Sequence, residues 1–158
     1  MIDKIKLGGR SFNLSDINYI FQYKFGSMKG MLEIGVSPES NSSKLFIVKP
    51  AQKSLSPKEI GLTLVSNGIH NFASITQRGD LLVNLENVAN ADLNEDAHMS
   101  AIESSNPLNI YFKNDPEAVH SFGNPDRKDA EASLSALESA MAFYEDNFSS
   151  DCLSFDQQ

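Results

Sequence analysis

Cysteine is almost absent from the sequence, since Cys152 is the only one in 158 residues. A single cysteine excludes an internal disulfide framework and a metal site built from several thiolates, and it is typical of a reducing compartment. No apolar stretch approaches the roughly 18 residues that a membrane-spanning helix needs. Residues 1–7 alternate charged and apolar side chains, so no signal-peptide core is expected. We therefore expect a cytoplasmic protein that does not span a membrane.

Positive charge is scarce: 13 Lys and Arg stand against 21 Asp and Glu, a formal net charge of −8. Because nucleic acids are bound by neutralising their phosphates, this balance argues against a general nucleic-acid-binding protein. Residues 1–70 carry nine basic and five acidic residues, a net +4, whereas residues 71–158 carry four basic and sixteen acidic residues, a net −12. Such asymmetry indicates two surfaces of opposite electrostatic potential. The alternative is that the charged side chains only keep each half in contact with water.

Catalytic motifs are missing as well. His70, His98 and His120 lack metal-ligand spacing, and the sequence has no nucleophile elbow, phosphate-binding loop or dinucleotide fingerprint. Asp151 lies beside Cys152 and disfavours the negatively charged thiolate that a nucleophile requires. We therefore predict a non-enzymatic protein that needs no cofactor.

The first half has the pattern of an antiparallel sheet. Four short strands are predicted between tight turns and polar loops, at residues 4–7, 11–14, 31–36 and 44–49. Between the second and third of them lies a strand over residues 19–25 in which an aromatic side chain occupies every second position: Tyr19, Phe21, Tyr23 and Phe25. Period two places these four rings on one face of the strand. Ile20 interrupts the alternation, which indicates that part of the strand is covered on both faces.

A helix is predicted to begin at Pro57. Ser56 is its N-cap candidate and Glu59 completes a capping box, while Asn67-Gly68 supplies a left-handed end. The alternative is a strand over residues 62–66 that turns at Asn67-Gly68 into a second strand.

The C-terminal region predicts a long helix with one apolar stripe. The stripe recurs at spacings of three and four residues, at Ala130, Leu134, Leu137, Met141, Tyr144 and Phe148. This pattern favours a helix that covers one face of a sheet, with a coiled-coil seam to another chain as the alternative. Residues 149–158 are predicted to form a flexible tail.

The second half resembles the first in the order of its predicted elements. Ile75, Gly79, Leu82, Leu85 and Val88 follow Ile5, Gly9, Phe12, Leu14 and Ile17 at an offset of 70 to 71 residues. We predict an α+β fold of antiparallel sheets packed against a long C-terminal helix. Residues 1–148 would form a single compact domain, in which 1–68 and 69–148 are candidate pseudo-repeats.

One segment has the spacing of a calcium loop. Asp92, Asn94, Asp96 and Glu103 stand at positions 1, 3, 5 and 12 of twelve, where oxygen ligands converge in an EF-hand loop. Ala97 replaces the glycine that the sharp turn requires. The alternative is an acidic surface loop without a metal, and we predict no metal site here.

Two binding surfaces follow from these patterns. The first is an acidic surface that docks a basic protein partner, as inhibitors, immunity-type proteins or assembly subunits do, through Asp92, Glu95, Asp96, Glu103, Asp126, Asp129 and Glu131. The second, kept as the alternative, binds a ligand or nucleic acid through an aromatic platform with an adjacent lysine, at Tyr19, Phe21, Tyr23 and Lys24. Pairing of the basic half with the acidic half of a second copy would give a homo-oligomer.

Overall fold

A computed structural model of the protein describes residues 2–39, 42–50, 55–93, 108–122 and 127–148. In chain order its elements are β1 (Lys4–Leu7), β2 (Arg10–Asn13), a 3₁₀ turn (Leu14–Asp16), β3 (Ile17–Gln22), β4 (Leu32–Glu39), β5 (Ser42–Val48), α1 (Pro57–Ser66), β6 (Phe72–Ser74), β7 (Leu81–Asn84), a second 3₁₀ turn (Leu85–Asn87), β8 (Val88–Leu93), β9 (Leu108–Phe112), β10 (Asp115–Phe122) and α2 (Arg127–Asn147). The predicted α+β class is confirmed.

The strands form three antiparallel sheets. A five-stranded sheet has the order β5-β4-β3-β7-β6, a three-stranded sheet the order β10-β9-β8, and β1 pairs with β2 in a hairpin. Strand β3 of the first half pairs with β7 of the second half, with Ile20 opposite Leu82. The two halves of the sequence therefore share one sheet.

The five-stranded sheet carries a hydrophobic core on each face. On one face, Ile20 and Ile34 pack with α1 and the β1–β2 hairpin. On the other face, Tyr19 and Val83 pack with the three-stranded sheet and α2. Neighbouring residues of β3 thus point into different cores, as the interruption of the aromatic alternation at Ile20 predicts.

Helix α1 begins and ends where its capping residues predict. The Ser56 hydroxyl accepts a hydrogen bond from the Glu59 backbone N–H at 3.3 Å. Gly68 has a φ of +82°, and the Ile69 N–H donates back to the Leu64 carbonyl at 2.9 Å. The alternative strand over residues 62–66 is therefore wrong.

Helix α2 packs its apolar stripe onto the second core. Ala130 and Leu137 are fully buried, while Leu134, Met141 and Tyr144 are partly buried against the same core. The stripe covers a sheet within this chain, as the first of the two interpretations predicts. The tail, residues 149–158, lies outside the described residues.

The aromatic strand is shorter than predicted. β3 ends at Gln22, after which the Tyr23 N–H still donates to the Met31 carbonyl at 3.0 Å before the chain turns. Phe25 lies in that turn and is 78% exposed. The prediction that its ring shares a face with the other three is therefore wrong, because β3 ends at Gln22 and Phe25 already lies in the turn.

The two halves have the same order of elements. Each contains a hairpin, a 3₁₀ turn, three strands and a helix. Descent of the halves from one repeated unit stays a prediction. Among the helices in the described part of the chain, none combines the length and apolar character that crossing a bilayer requires.

Candidate functional site

A cavity of about 310 Å³ lies where β3 and β4 of the five-stranded sheet approach β10 of the three-stranded sheet. Its lining combines rings, a carboxylate and an imidazole, from Tyr19, Phe21, Tyr23, Glu33, Val119, His120, Ser121 and Phe122. The polar groups of this lining converge among aromatic rings, an arrangement that can bind a ligand. We refer to this cavity as the Glu33 cleft.

Glu33 is the acidic centre of the cleft. The Tyr19 hydroxyl donates to Glu33 Oε2 at 2.7 Å, and the Tyr23 hydroxyl donates to Glu33 Oε1 at 2.6 Å. These lengths are typical of charge-assisted hydrogen bonds. No lysine, arginine or histidine of the described residues forms an ion pair with this carboxylate. Among the described residues, two tyrosine hydroxyls hold this carboxylate in place and no cationic side chain neutralises it.

Both tyrosines stay protonated well above neutral pH. Burial raises the pKa of Tyr19 far above its usual value, and the hydrogen bond and charge of Glu33 raise it further. For Tyr23 the hydrogen bond to Glu33 is the largest cause, and together with burial and the charge of Glu33 it raises the pKa to about 12. The hydroxyls thus act as donors, and the charge of this trio resides on Glu33.

Replacing Glu33 with glutamine should change the pKa of Tyr23 much more than the pKa of Tyr19. Because its hydrogen bond to Glu33 is the largest cause, the pKa of Tyr23 should fall from about 12 toward 10.0. The pKa of Tyr19 should remain raised, since burial is its largest cause. Tyrosinate absorbance measures both, because the sequence has four tyrosines and no tryptophan. Glu138→Gln, at an exposed position on α2, should leave the titration unchanged.

The raised pKa of Tyr23 links the stability of the fold to pH. A pKa that is higher in the folded than in the unfolded chain adds stability that is complete below pH 10.0 and is lost as the pH rises toward 12. The wild-type protein should therefore lose stability over this window, and Tyr23→Phe should lose less of it. Equal titrations and equal alkaline stability in the wild type and Glu33→Gln would contradict the role assigned to Glu33.

A hydrogen-bonded acid–imidazole pair lies on the β10 side of the cleft. His120 Nε2 lies 3.1 Å from Asp115 Oδ2, and Asp115 is 5% exposed. A register shift between the two residues bulges the strand, so residues five positions apart meet. In hydrolases such a pair activates a nucleophile. Here the adjacent Ser121 hydroxyl donates instead to Asn109 Oδ1 at 2.6 Å, so the pair orients an imidazole without a serine partner at this position.

Close packing of aromatic rings fixes the position of Tyr19. Its ring centroid lies 4.9 Å from that of Phe122, 5.5 Å from that of His120 and 6.2 Å from that of Phe112. Phe21, also on the cleft wall, contacts Tyr23 edge-on at 5.3 Å. These contacts hold the hydroxyl that orients Glu33 in a defined place.

The cleft opens beside an uncovered part of the sheet. Glu33 lies opposite Ile47 of β5, and Gly35 lies opposite Leu45. Residues directly opposite each other in a sheet share a face. Ile47 and Leu45 are 40% and 57% exposed, and Val119 on the other side of the cleft is 53% exposed. Apolar side chains thus flank the acidic centre on both sides.

Three of the four residues of the predicted aromatic platform line this cleft. Tyr19 is buried, whereas Phe21 and Tyr23 are half-buried. Lys24 does not line the cleft, and its Nζ donates to Gln22 Oε1 at 3.3 Å. The rings therefore surround a carboxylate, whereas the platform was expected to carry an adjacent lysine.

The predicted acidic surface is only partly described. Asp129 is half-buried in the first turn of α2, and Glu131 is exposed on the same helix. Four residues of that prediction, Glu95, Asp96, Glu103 and Asp126, lie outside the described residues.

Asp92 lies in a strand, so its predicted place in an acidic loop is wrong. It is the fifth residue of β8, and its carboxylate accepts hydrogen bonds from Asn109 at 3.1 Å and from Tyr111 at 3.4 Å. The other calcium-loop positions, Asn94, Asp96 and Glu103, lie outside the described residues. Within the described ranges, no three His, Cys, Asp or Glu side chains are grouped as metal ligands.

Sequence reasoning missed Glu33 and His120 as parts of one site. Glu33 is the one acidic residue in the apolar strand segment 31–36, and that isolation was a usable signal. His120 alternates with Phe122 in β10, but no local pattern indicates that β10 faces β3. No family model, curated protein or solved structure matches this chain.

Proposed function

We propose that this protein is a non-enzymatic binding module whose Glu33 cleft receives an arginine side chain of a basic protein partner. The observation that carries this proposal is the Glu33 carboxylate, held by two tyrosine hydroxyls in an aromatic cavity without a described cationic partner. This proposal combines the two surfaces that the sequence predicts. The aromatic rings come from the predicted aromatic platform, and the basic protein partner is the one predicted for the acidic surface. A cytoplasmic location is part of the same proposal.

The hydrogen-bonding capacity of Glu33 favours arginine over lysine. A carboxylate offers about four lone-pair sites, and each oxygen of Glu33 accepts one tyrosine hydroxyl. One site therefore remains on each oxygen. Two parallel N–H groups of a guanidinium match two adjacent acceptors, whereas the ammonium of lysine acts as a point charge.

The cleft walls supply further attraction for a cation. Tyr19, Phe21 and Tyr23 all line the cavity that contains the carboxylate. An aromatic face attracts a guanidinium within about 6 Å, most strongly where water is excluded. The exposed Leu45, Ile47 and Val119 would contact apolar neighbours of that arginine in the partner.

Charge supports a basic protein as the partner. The net charge of −8 attracts cations and repels phosphates, and Lys24 lies outside the cleft lining. Residues 71–158, which carry the acidic excess, would steer the encounter, while Glu33 supplies the anchor. Substitutions at Asp129 should therefore change the association rate and its salt dependence more than the dissociation rate.

An arginine-rich peptide labelled with a fluorophore tests the proposal. Its affinity should fall about tenfold to a hundredfold in Glu33→Gln, because a hydrogen bond to a charged group contributes roughly 1.5–3 kcal/mol. Fluorescence anisotropy measures the affinity, and a thermal melt verifies that the variant is folded. A matched peptide with citrulline in place of arginine keeps the side-chain shape but lacks the charge, and it should bind weakly.

Glu138→Gln is the matched control, since it removes one negative charge at an exposed helical position. It should change the peptide affinity by less than about twofold, as expected for an exposed charge. Equal binding by the wild type and Glu33→Gln would overturn the proposal, and so would equal binding of the arginine and citrulline peptides. Loss of affinity in Glu138→Gln alone would place binding outside the Glu33 cleft and overturn the proposal as well.

A further inference from the structure

A second, apolar groove of about 320 Å³ lies between β1 and α1. Its apolar lining comes from Ile5 and Leu7 of β1, from Leu55, and from Ile60 and Leu64 of α1. Ile2 also lines it and is 44% exposed. This groove is separate from the Glu33 cleft, since the two share no lining residue. An apolar groove of this size is a docking surface for other apolar side chains.

The described chain ends beside this groove. The ring of Phe148, which follows α2, stacks on His70 with a centroid distance of 4.4 Å. Phe148, Gly68 and Ile2 line one neighbouring pocket, while Ile2 and Asn67 line the groove itself. The described structure therefore ends beside the groove, near the end where α1 terminates.

The tail is long enough to follow the groove. It has ten residues, which span up to roughly 33 Å when extended. Helix α1 also has ten residues, and at 1.5 Å per residue it is about 15 Å long. The tail can thus run the whole length of α1 with residues to spare.

The chemistry of the tail complements that of the groove. The sequence of residues 149–158 is Ser-Ser-Asp-Cys-Leu-Ser-Phe-Asp-Gln-Gln, with apolar side chains at Leu153 and Phe155 and two acids but no base. Lys4 and Lys6 line the groove and form no ion pair with a described residue. The lysines attract carboxylates and the apolar lining accepts apolar side chains, and residues 149–158 carry both.

We propose that residues 149–158 fold back along the groove between β1 and α1. Leu153 and Phe155, two positions apart, contact the apolar lining, and Asp151 and Asp156 lie beside Lys4 and Lys6. The occupant is this segment because the described part of the chain ends beside the groove, the ten residues that follow can span it, and they carry the complementary charge. Binding within one chain also has a high effective concentration.

Disulfide trapping tests this docking, because Cys152 is the only cysteine in the sequence. Thr63 lines the groove, so under mild oxidation Thr63→Cys should form an intramolecular disulfide with Cys152. Leu62→Cys is the matched control, since Leu62 is the preceding residue of α1, is 55% exposed and does not line the groove. The Thr63→Cys disulfide should form at least tenfold faster. Equal rates would overturn the proposal.

A second measurement needs no new cysteine. Cys152 in the native wild-type chain should react with a maleimide several-fold more slowly than in the double variant Leu153→Asp/Phe155→Asp, because docking shields the thiol. Equal alkylation rates would contradict the proposal. Protection that increases with protein concentration would also contradict it, since the occupant would then be the tail of a second copy.

Discussion

Replacing Gly35 with alanine is expected to lower the free energy of unfolding by about 3 kcal/mol. A Cβ atom at this position would lie 2.2 Å from Cε1 of Tyr19 and 2.7 Å from its Cζ. The ring cannot turn away as a single methyl group can, because it is rigid and packs against the rings of Phe112, His120 and Phe122. Overpacking a core costs roughly 1–3 kcal/mol, and displacement of the ring also weakens its bond to Glu33. For a chain of this length the melting temperature should fall by roughly 6–12 °C.

Gly61→Ala provides the contrast, because the substitution is the same and the obstacle is different. Its Cβ would lie 2.8 Å from Cδ1 of Leu82, the end of a flexible side chain that can rotate. Alanine also favours a helix over glycine by about 1 kcal/mol. We expect a net change within about 1 kcal/mol. Urea unfolding measures the stability of both variants. If Gly35→Ala and Gly61→Ala are equally stable, the assigned contact between Gly35 and Tyr19 is contradicted.

The double variant Gly35→Ala/Tyr19→Leu locates the effect. If the clash with the ring causes the loss, the double variant should be no less stable than Tyr19→Leu alone, because the obstacle is gone. Residues in contact show such non-additive energies. Additive losses would place the cause elsewhere.

Replacing Asn84 with alanine is expected to cost about 3 kcal/mol as well. Asn84 is fully buried, and its Nδ2 donates to the Ile17 carbonyl of the first half at 2.8 Å. Its Oδ1 accepts from Asn71 at 2.8 Å and from the Glu86 backbone N–H at 3.1 Å. Alanine removes all three bonds, and the Ile17 carbonyl keeps a longer one from Asn87 Nδ2 at 3.4 Å. A buried polar group left short of partners costs about 1–3 kcal/mol.

Asn13 is the matched control, since it precedes the first 3₁₀ turn as Asn84 precedes the second. It makes no capping bond with its side chain and is exposed. Asn13→Ala should therefore change stability by less than about 0.5 kcal/mol. Chemical denaturation of both variants measures the difference. Similar losses at the two positions would show that burial and the bond to Ile17 do not set the cost.

The limits of sequence reasoning are visible at the Glu33 cleft. Period two correctly placed Tyr19 and Phe21 on one face, because alternation is a property of every strand. It failed at Phe25, where a turn begins that no change in the aromatic pattern marks. The meeting of His120 with the ring of Tyr19 depends on β10 lying against β3, and that contact joins residues about a hundred positions apart.

Asp92 illustrates the opposite error. The spacing of acidic residues indicated a loop, yet Asp92 lies in β8 and bonds to Asn109 and Tyr111 of the neighbouring strand. Its side-chain type was compatible with both environments. Only the partner strand, which begins at Leu108, decided between them.

The sequence by itself determined the features that depend on local chemistry. Ser56 and Gly68 set the ends of α1, spacings of three and four set the buried stripe of α2, and composition set the charge asymmetry. The tertiary structure alone decided that β3 pairs with β7 and that β10 closes over β3, which creates the cavity around Glu33. The physical reason is range: caps and periodicity act within one or two turns, whereas a cleft requires strands about a hundred residues apart to meet.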